Sequence, residues 1–284
     1  MSTAQSFQAQ TSTHYRVPLQ VYRGTPQRRE ITLVILPALG IAAKFYARIA
    51  QALAEQGLDV VVMEQRGHGE SAWRPSRQCD YGFREWLRDD IPATLDWAWH
   101  HLPGERRFLL GHSLGGHLGA MACGLYPERV NGLILSACAS PWPPAYSTPM
   151  RMKLAVLAAA VKLSGPTLGY YPGSVLGFGG REARTLMRDW YHMLRANRYA
   201  AQGVAHDLDN AVNQYAGQVL SLRYADDGLA PEAATRAVTD KFGDAELTYQ
   251  LIRSDHYTRP ADHYQWAREP QPTVEAIKQW IARA

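Results

Sequence analysis

The pentapeptide Gly111-His-Ser-Leu-Gly115 constrains this chain more than any other segment. It follows an apolar run, Phe108–Leu110, and it opens a stretch whose small residues are spaced for one face of a helix. A serine in a tight turn between strand and helix has a crowded backbone, and glycines two positions before and after it relieve the clash. The segment therefore predicts a nucleophile elbow that exposes the Ser113 hydroxyl. The plain alternative is a glycine-rich helix start that binds nothing.

Length and composition are those of a globular α/β protein. The 284 residues suffice for one large domain with an insertion or for two small domains. The hydrophobic fraction of 46% and the charged fraction of 20% are ordinary for such a chain. Residues 1–14 are polar and contain no apolar signal segment, so we expect a flexible N-terminal tail there. An odd set of cysteines without metal-ligand spacing predicts a reduced, cytoplasmic location: Cys79, Cys123 and Cys138.

Composition also excludes several classes of function. The run at residues 154–161 is the nearest to a membrane span, but it lies between Lys153 and Lys162 and is far shorter than the roughly 20 apolar residues required. A net charge of +4, without a basic run or zinc-ligand spacing, argues against a nucleic-acid partner. We expect a monomer or homodimer that acts on a small molecule.

Apolar runs alternate with helical segments along most of the chain. Arg16–Tyr22 alternates as an edge strand does, and residues 31–36 and 59–64 are typical of buried strands. Further strands are predicted at residues 106–112, 130–137, 218–224 and 246–252. Helices are predicted between and after them, at residues 42–56, 82–101, 114–126 and 273–284. The pattern predicts an α/β fold with a doubly wound, mostly parallel sheet, formed by residues 15–140 and 214–284.

Between residues 141 and 213 this alternation stops. Four prolines open the segment, helices are predicted at residues 150–163 and 181–197, and residues 165–180 are rich in Gly, Tyr and Pro. Ligands bind at the carboxyl edge of a doubly wound sheet, which is where the segment begins and ends. We interpret residues 141–213 as a helical cap insertion over that edge. The alternative is a separate small domain with no part in binding.

A reactive serine needs a histidine to accept its proton and a carboxylate to orient that histidine. The strand at residues 218–224 leads to two adjacent carboxylates, Asp226 and Asp227. Successive residues at a strand end point to opposite sides, so only one of them should face the histidine.

The next strand, residues 246–252, leads to Asp255 and His256. We therefore predict His256 as the general base. The competing histidines are His206, which lies where the predicted cap ends, and His263, which lies seven residues after His256.

With these residues the chain resembles the α/β hydrolases, in their capped serine-hydrolase branch of esterases and lipases. The resemblance depends on the elbow, on the Gly-rich loop at residues 64–71 and on Asp227, which precedes Pro231 by four residues as the acid commonly does in that family. It implies a catalytic triad of Ser113, Asp227 and His256, in the family's order along the chain. It also implies acyl transfer to water through an acyl-serine, with no cofactor and no metal.

Two positions depart from that family. Pro37-Ala38-Leu39-Gly40 stands where many relatives have a His-Gly pair that helps to bind the oxyanion. An oxyanion needs backbone N–H donors, which proline lacks and Leu39 retains, so we predict the amides of Leu39 and Leu114 for this role. Leu39 alternatively only walls the pocket. The second departure is Asp255, where relatives commonly have glycine.

The predicted cap is rich in aromatic rings and in positive charge. The rings suit an apolar acyl or aryl group, or else attach the cap to the core: Trp142, Tyr146, Tyr170, Tyr171, Phe178 and Trp190. Residues 141–205 contain eight basic residues against Glu182 and Asp189, a net charge of +6. That charge either attracts anionic substrates or a lipid surface, or belongs to a solvated helix face, which is the more frequent case.

The sequence predicts a carboxylesterase for small to medium esters. The alternatives are an acyltransferase or thioesterase with the same triad, and a non-catalytic ligand-binding protein with a hydrolase fold. Dehalogenases and epoxide hydrolases of this kind have aspartate at the elbow, so Ser113 disfavours them.

Overall fold

The computed structural model describes residues 4–24 and 30–283. Its main sheet contains the strands β1 Gln5–Gln10, β2 Arg16–Tyr22, β3 Ile31–Leu36, β4 Asp59–Met63, β5 Arg106–His112, β6 Gly132–Ser136, β9 Gln218–Tyr224 and β10 Glu246–Ile252. The strand order is β1-β2-β4-β3-β5-β6-β9-β10. β2 is antiparallel to both neighbours, and every pairing from β4 to β10 is parallel. The sheet is therefore of the mostly parallel kind that the sequence predicts.

Helices cover both faces of this sheet. They are α1 Ala47–Glu55, α2 Phe83–Glu85, α3 Ile91–His101, α4 Leu114–Leu125, α9 Glu232–Thr239, α10 Gln265–Arg268 and α11 Gln271–Ile281, with a π-helical turn at Trp86–Asp90 between α2 and α3. Side chains of a strand alternate between the two faces. Leu33 and Ile35 of β3 share a buried cluster with residues of α1 and α11, whereas Val34 and Leu36 share one with residues of α3 and α4.

Residues 141–213, hereafter the insertion, lie between β6 and β9. They contain α5 Thr148–Leu168, β7 Tyr170–Pro172, α6 Gly173–Leu176, β8 Arg181–Ala183, α7 Arg184–Ala196 and α8 Leu208–Asn213. β7 and β8 form a separate antiparallel pair. Polar contacts attach the insertion to the core: buried Asp189 on α7 accepts a hydrogen bond from the Phe83 N–H at 2.9 Å, and His68 Nε2 lies 3.1 Å from buried Glu182.

The N-terminal segment differs from its prediction as a flexible tail over residues 1–14. Residues 1–3 lie outside the described part of the chain, but Gln5–Gln10 form β1 and pair along their whole length with β2. The tail prediction is therefore wrong for β1, and β2 is an inner strand rather than an edge. Ala9 is buried, and the Phe7 ring packs 4.9 Å from that of Trp97. These two residues alternate with polar ones, a strand pattern that the glutamines conceal.

Candidate active site

The elbow at Ser113 joins β5 to α4 through a strained backbone. Ser113 has φ 51° and ψ −114°, a conformation that residues with side chains seldom adopt. A Cβ on Gly111 would lie 2.4 Å from the Gly115 carbonyl oxygen, and a Cβ on Gly115 would lie 2.1 Å from that of Leu36. Both glycines are thus required by close backbone contacts. Ser113 itself lines a cavity at the carboxyl edge of the sheet.

Asp227 occupies the loop after β9, where it is buried. Its Oδ1 accepts hydrogen bonds from the N–H groups of Leu229 at 2.9 Å and Ala230 at 3.1 Å. The neighbouring Asp226 is exposed, and its Oδ2 accepts a hydrogen bond from the Ala261 N–H at 2.8 Å. Asp227 is therefore held by its own turn, whereas Asp226 braces the loop that follows β10.

His263 is the histidine that the fold brings to Asp227. Its Nδ1 lies 2.8 Å from Asp227 Oδ2, and both side chains are buried. His263 lines the same cavity as Ser113. When Nδ1–H donates to a carboxylate, Nε2 is left as an acceptor for a proton from a hydroxyl group.

His256 does not make this contact, which corrects the prediction from the sequence. It ends a 3-10 turn, Ser254–His256, directly after β10, and 58% of its side chain is exposed. Its Nε2 lies 3.9 Å from exposed Asp255. β10 is the outermost strand, so the residues next to its end lie at the open side of the sheet.

The chain returns to the carboxyl edge only after several more residues. Asp226 fixes this return through the Ala261 N–H, and Asp262 Oδ1 then accepts hydrogen bonds from the N–H groups of Tyr264 and Gln265, both at 2.8 Å. An aspartate that caps the turn after His263 is a local signal that the sequence contains. Closeness to the end of β10 therefore predicts the histidine that contacts Asp227 less well than the Asp262 turn does.

The amides of Leu39 and Leu114 are both available at the cavity. Both residues line it, and neither N–H donates a hydrogen bond to another of the described residues. Gln65 holds the loop before Leu39, because its Nε2 donates to the carbonyls of Ala38 at 2.8 Å and Ile41 at 2.7 Å. Two unpaired donors next to Ser113 are what an oxyanion requires.

A buried chain of hydrogen bonds runs through Tyr46 and His112. The Ala38 N–H donates to Tyr46 Oη at 2.8 Å, Tyr46 Oη lies 2.8 Å from His112 Nδ1, and His112 Nε2 lies 3.0 Å from the His263 carbonyl oxygen. Burial lowers the pKa of His112 well below its ordinary value. A neutral ring has one acceptor and one donor, so Tyr46 donates to Nδ1 and Nε2–H donates to His263. The chain links the loop before Leu39 to the elbow and to the backbone of His263.

The cavity measures about 180 Å³ and lies between the sheet edge and the insertion. The core contributes Ala38, Leu39, Ser113, Leu114, His117, Ala139, Leu229, His263 and Tyr264, and the insertion contributes Pro141, Tyr146, Met150, Leu154, Gly177, Phe178, Gly179 and Trp190. None of these lining residues is Lys, Arg, Asp or Glu. The cavity therefore suits an uncharged group beside Ser113.

Of the six aromatic residues predicted for the pocket, Tyr146, Phe178 and Trp190 line this cavity. The other three do not. Trp142 lines an outer groove with residues of α5 and α7. Tyr170 packs against Arg181, whose guanidinium lies 3.8 Å from the ring centroid, and Tyr171 is buried in the core. β7 holds these two tyrosines in the hairpin of the insertion, where they stabilise it rather than face Ser113.

His117 also lines the cavity, although no sequence pattern predicts a role for it there. Its Nε2 lies 2.9 Å from the Ala139 carbonyl oxygen, and its Nδ1 lies 2.9 Å from Tyr199 Oη in the insertion. Burial lowers the pKa of His117 to about 4. A neutral His117 can therefore donate to Ala139 and accept from Tyr199, which connects α4 to the insertion.

Comparison with known families decides the classification. Residues 27–253 match the family model Hydrolase_4, described as serine aminopeptidase, S33. The chain belongs to this family of α/β hydrolases. The matched range includes Ser113 and Asp227 and ends before both His256 and His263. The choice between these histidines therefore depends on their contacts, and among the described residues only His263 of the two contacts Asp227.

Individual relatives of this hydrolase are distant. Lysophospholipase L2 of Escherichia coli strain K12 is 26% identical over 125 residues, which cover 43% of this chain and only 36% of that protein. The structure of DcsB with its substrate analogue has a TM-score of 0.66 at 14% identity and covers 99% of both chains. The esterase EaEST from Exiguobacterium antarcticum has a TM-score of 0.66 at 15% identity, over 98% of this chain and 100% of that one. These structures share the fold of the hydrolase.

Proposed function

We propose that this hydrolase cleaves small to medium carboxylic esters through an acyl-serine intermediate. The observation that carries the proposal is the convergence on one cavity of Ser113, in a strained elbow, and His263, whose Nδ1 lies 2.8 Å from buried Asp227. A hydroxyl, an imidazole and a carboxylate in these positions form the set that nucleophilic acyl transfer requires.

The reaction follows from these positions. Ser113 Oγ makes no hydrogen bond within the described residues, and it lines the same cavity as His263, whose Nε2 is the proposed proton acceptor. Nε2 accepts the serine proton as Oγ attacks the ester carbonyl, and Asp227 stabilises the imidazolium that forms. The amides of Leu39 and Leu114 bind the developing oxyanion.

The second half of the reaction releases both products. His263 gives its proton to the leaving alcohol as the C–O bond of the ester breaks. Water then attacks the acyl-serine, and His263 accepts a proton from that water. Collapse of the second tetrahedral intermediate releases the carboxylic acid and returns the proton to Ser113.

The cavity lining supports an uncharged ester rather than other acyl substrates. A free α-amine, as an aminopeptidase binds, calls for a carboxylate in the cavity, and a phosphate-bearing thioester calls for Lys or Arg there. The lining contains neither. In this proposal the insertion acts as a cap, with Tyr146, Phe178 and Trp190 against the acyl group.

A panel of p-nitrophenyl esters with acyl chains of increasing length tests the proposal. We expect turnover of short and medium chains, and a fall of at least a thousandfold in Ser113→Ala, because the acyl-serine cannot form. Turnover retained in Ser113→Ala would contradict the assignment. Acceleration of product formation by an added alcohol or amine, with the corresponding new ester or amide as product, would instead identify an acyltransferase.

A further inference from the structure

The outer side of α5 carries a row of exposed apolar side chains, hereafter the α5 stripe. Met152 is 66% exposed, Val156 is 70% exposed and Leu163 is 68% exposed. Exposed Ala159 lies between the last two. At 3.6 residues per turn these four positions share one side of the helix. Single apolar residues are common on protein surfaces, but a continuous row of this kind is typical of a surface that contacts a membrane or another protein.

Lysines border the α5 stripe on both sides. Lys153 and Lys162 are exposed and project from opposite flanks of the row, at roughly a quarter turn from its centre. Thr148–Leu168 contains no Asp or Glu. Long cationic side chains beside an apolar row can extend towards an anionic surface while their methylene groups lie along apolar material.

The α5 stripe belongs to a segment that also touches the cavity. Met150 and Leu154 of α5 line the cavity with Ser113, so one side of this helix faces the site and the other faces outwards. Val175, 83% exposed, closely precedes Phe178, which lines the cavity as well. A partner that docks on the α5 stripe would therefore contact the insertion, which lines the cavity that contains Ser113.

We propose that the α5 stripe docks on an anionic lipid bilayer, with α5 lying in the plane of the interface. α5 itself contains Arg151, Lys153 and Lys162 and no acidic residue, and this positive charge complements such a surface. No helix in the described ranges is long and apolar enough to cross a membrane. A second copy of the chain fits less well, because a two-fold contact between stripes would gather the lysines of both copies around one interface that contains no acidic residue of α5.

Co-sedimentation of the full chain with vesicles tests this proposal independently of catalysis. We expect binding to vesicles that contain phosphatidylglycerol, weaker binding to pure phosphatidylcholine, and the same binding in Ser113→Ala. The double variant Val156→Ser, Leu163→Ser should bind at least tenfold more weakly, because it removes the apolar contact. Lys153→Gln and Lys162→Gln should each lower the affinity for phosphatidylglycerol vesicles about fivefold.

The matched control is Leu247→Ser, Leu251→Ser, which removes two leucines of β10 that are 41% and 42% exposed. This control should bind vesicles as the wild type does. Hydrolysis of a soluble ester at the wild-type rate shows that the stripe variant is folded. No vesicle binding by the wild type at low salt, or equal binding by the stripe variant, would overturn the proposal. Self-association that the stripe variant abolishes, without vesicle binding, would overturn it in favour of a second copy.

Discussion

His112 contacts neither the cavity nor Asp227, yet it lies one residue before Ser113 and bonds to the backbone of His263. Its other ring nitrogen accepts from Tyr46, which also holds the Ala38 N–H. Catalytic groups must be held within about 0.5 Å of their working positions. We therefore infer that Tyr46 and His112 position the elbow, the loop before Leu39 and His263 relative to one another.

Tyr46→Phe tests this positioning role. The variant removes one hydroxyl, leaving the Ala38 N–H and His112 Nδ1 without their partner. We expect kcat to fall about tenfold while KM changes less than twofold, because the groups proposed as oxyanion donors and base are displaced and the cavity lining is kept. Tyr126→Phe, which loses a hydroxyl bonded to the Leu87 carbonyl outside the site, is the control. Equal kinetics in both variants would contradict the inference.

Single residues also show how far the sequence predicts the site. Ser113 and Asp227 of the candidate site are predicted without knowledge of distant contacts, Ser113 from a Gly-flanked serine after an apolar run and Asp227 from the spacing to Pro231 that resembles the α/β hydrolases. His263 is not found that way. Its place depends on where β10 lies in the sheet and on Asp226 holding Ala261, both of which are long-range facts.

At the scale of elements, the strands and helices of the core follow from hydrophobic pattern, and the insertion does not. β5 and β9 have the predicted bounds because buried parallel strands contain apolar runs. β10 also has the predicted bounds, although it is an edge strand in which only Ile252 is buried. No comparable sequence pattern predicts which aromatic residues of the insertion face the cavity. Whether Trp142, Tyr170 or Trp190 faces the cavity depends on how α5, α7 and the β7–β8 hairpin pack on the core.

The acyl-chain preference tests the role of α7 in that packing. Trp190 lines the cavity, and its ring lies 5.1 Å from that of Phe178. Trp190→Leu should enlarge the cavity and raise kcat/KM for eight-carbon relative to two-carbon p-nitrophenyl esters about tenfold. Trp142→Leu is the matched control, because Trp142 lines the outer groove, and it should leave the ratio unchanged. An unchanged ratio in Trp190→Leu would place the acyl group elsewhere.

At the scale of the whole molecule, stability should depend on pH through buried histidines. The pKa of His117 is about 4 in the fold, whereas a histidine in the unfolded chain titrates near 6.5. Between these values the unfolded chain binds a proton that the folded chain does not. The stability that neutral His117 contributes is therefore complete above pH 6.5 and is lost as the pH falls through 4.

Urea unfolding at several pH values checks this dependence. The difference in free energy of unfolding between the wild type and His117→Gln should shrink by about 3 kcal/mol from pH 7 to pH 4. The free energy of unfolding of the wild type alone does not isolate His117, because other buried groups titrate in the same pH range. Burial raises the pKa of Asp90 and of Asp189 to about 6, and the stability that these two protonated carboxyl groups contribute is lost as the pH rises through that value. Subtracting the variant from the wild type cancels this contribution. His256→Gln, at an exposed position, should track the wild type. A constant difference for His117→Gln would contradict the account.

The proposed acyl transfer depends on which histidine serves Ser113, and one matched comparison measures this directly. Purified wild type, His263→Ala and His256→Ala are treated with a fluorophosphonate probe, and the labelled serine is located by mass spectrometry while ester hydrolysis is recorded. We predict rapid labelling of Ser113 and full hydrolysis in the wild type and in His256→Ala, with both reduced at least a thousandfold in His263→Ala. Activity retained in His263→Ala and lost in His256→Ala would contradict the assignment of His263 as the base.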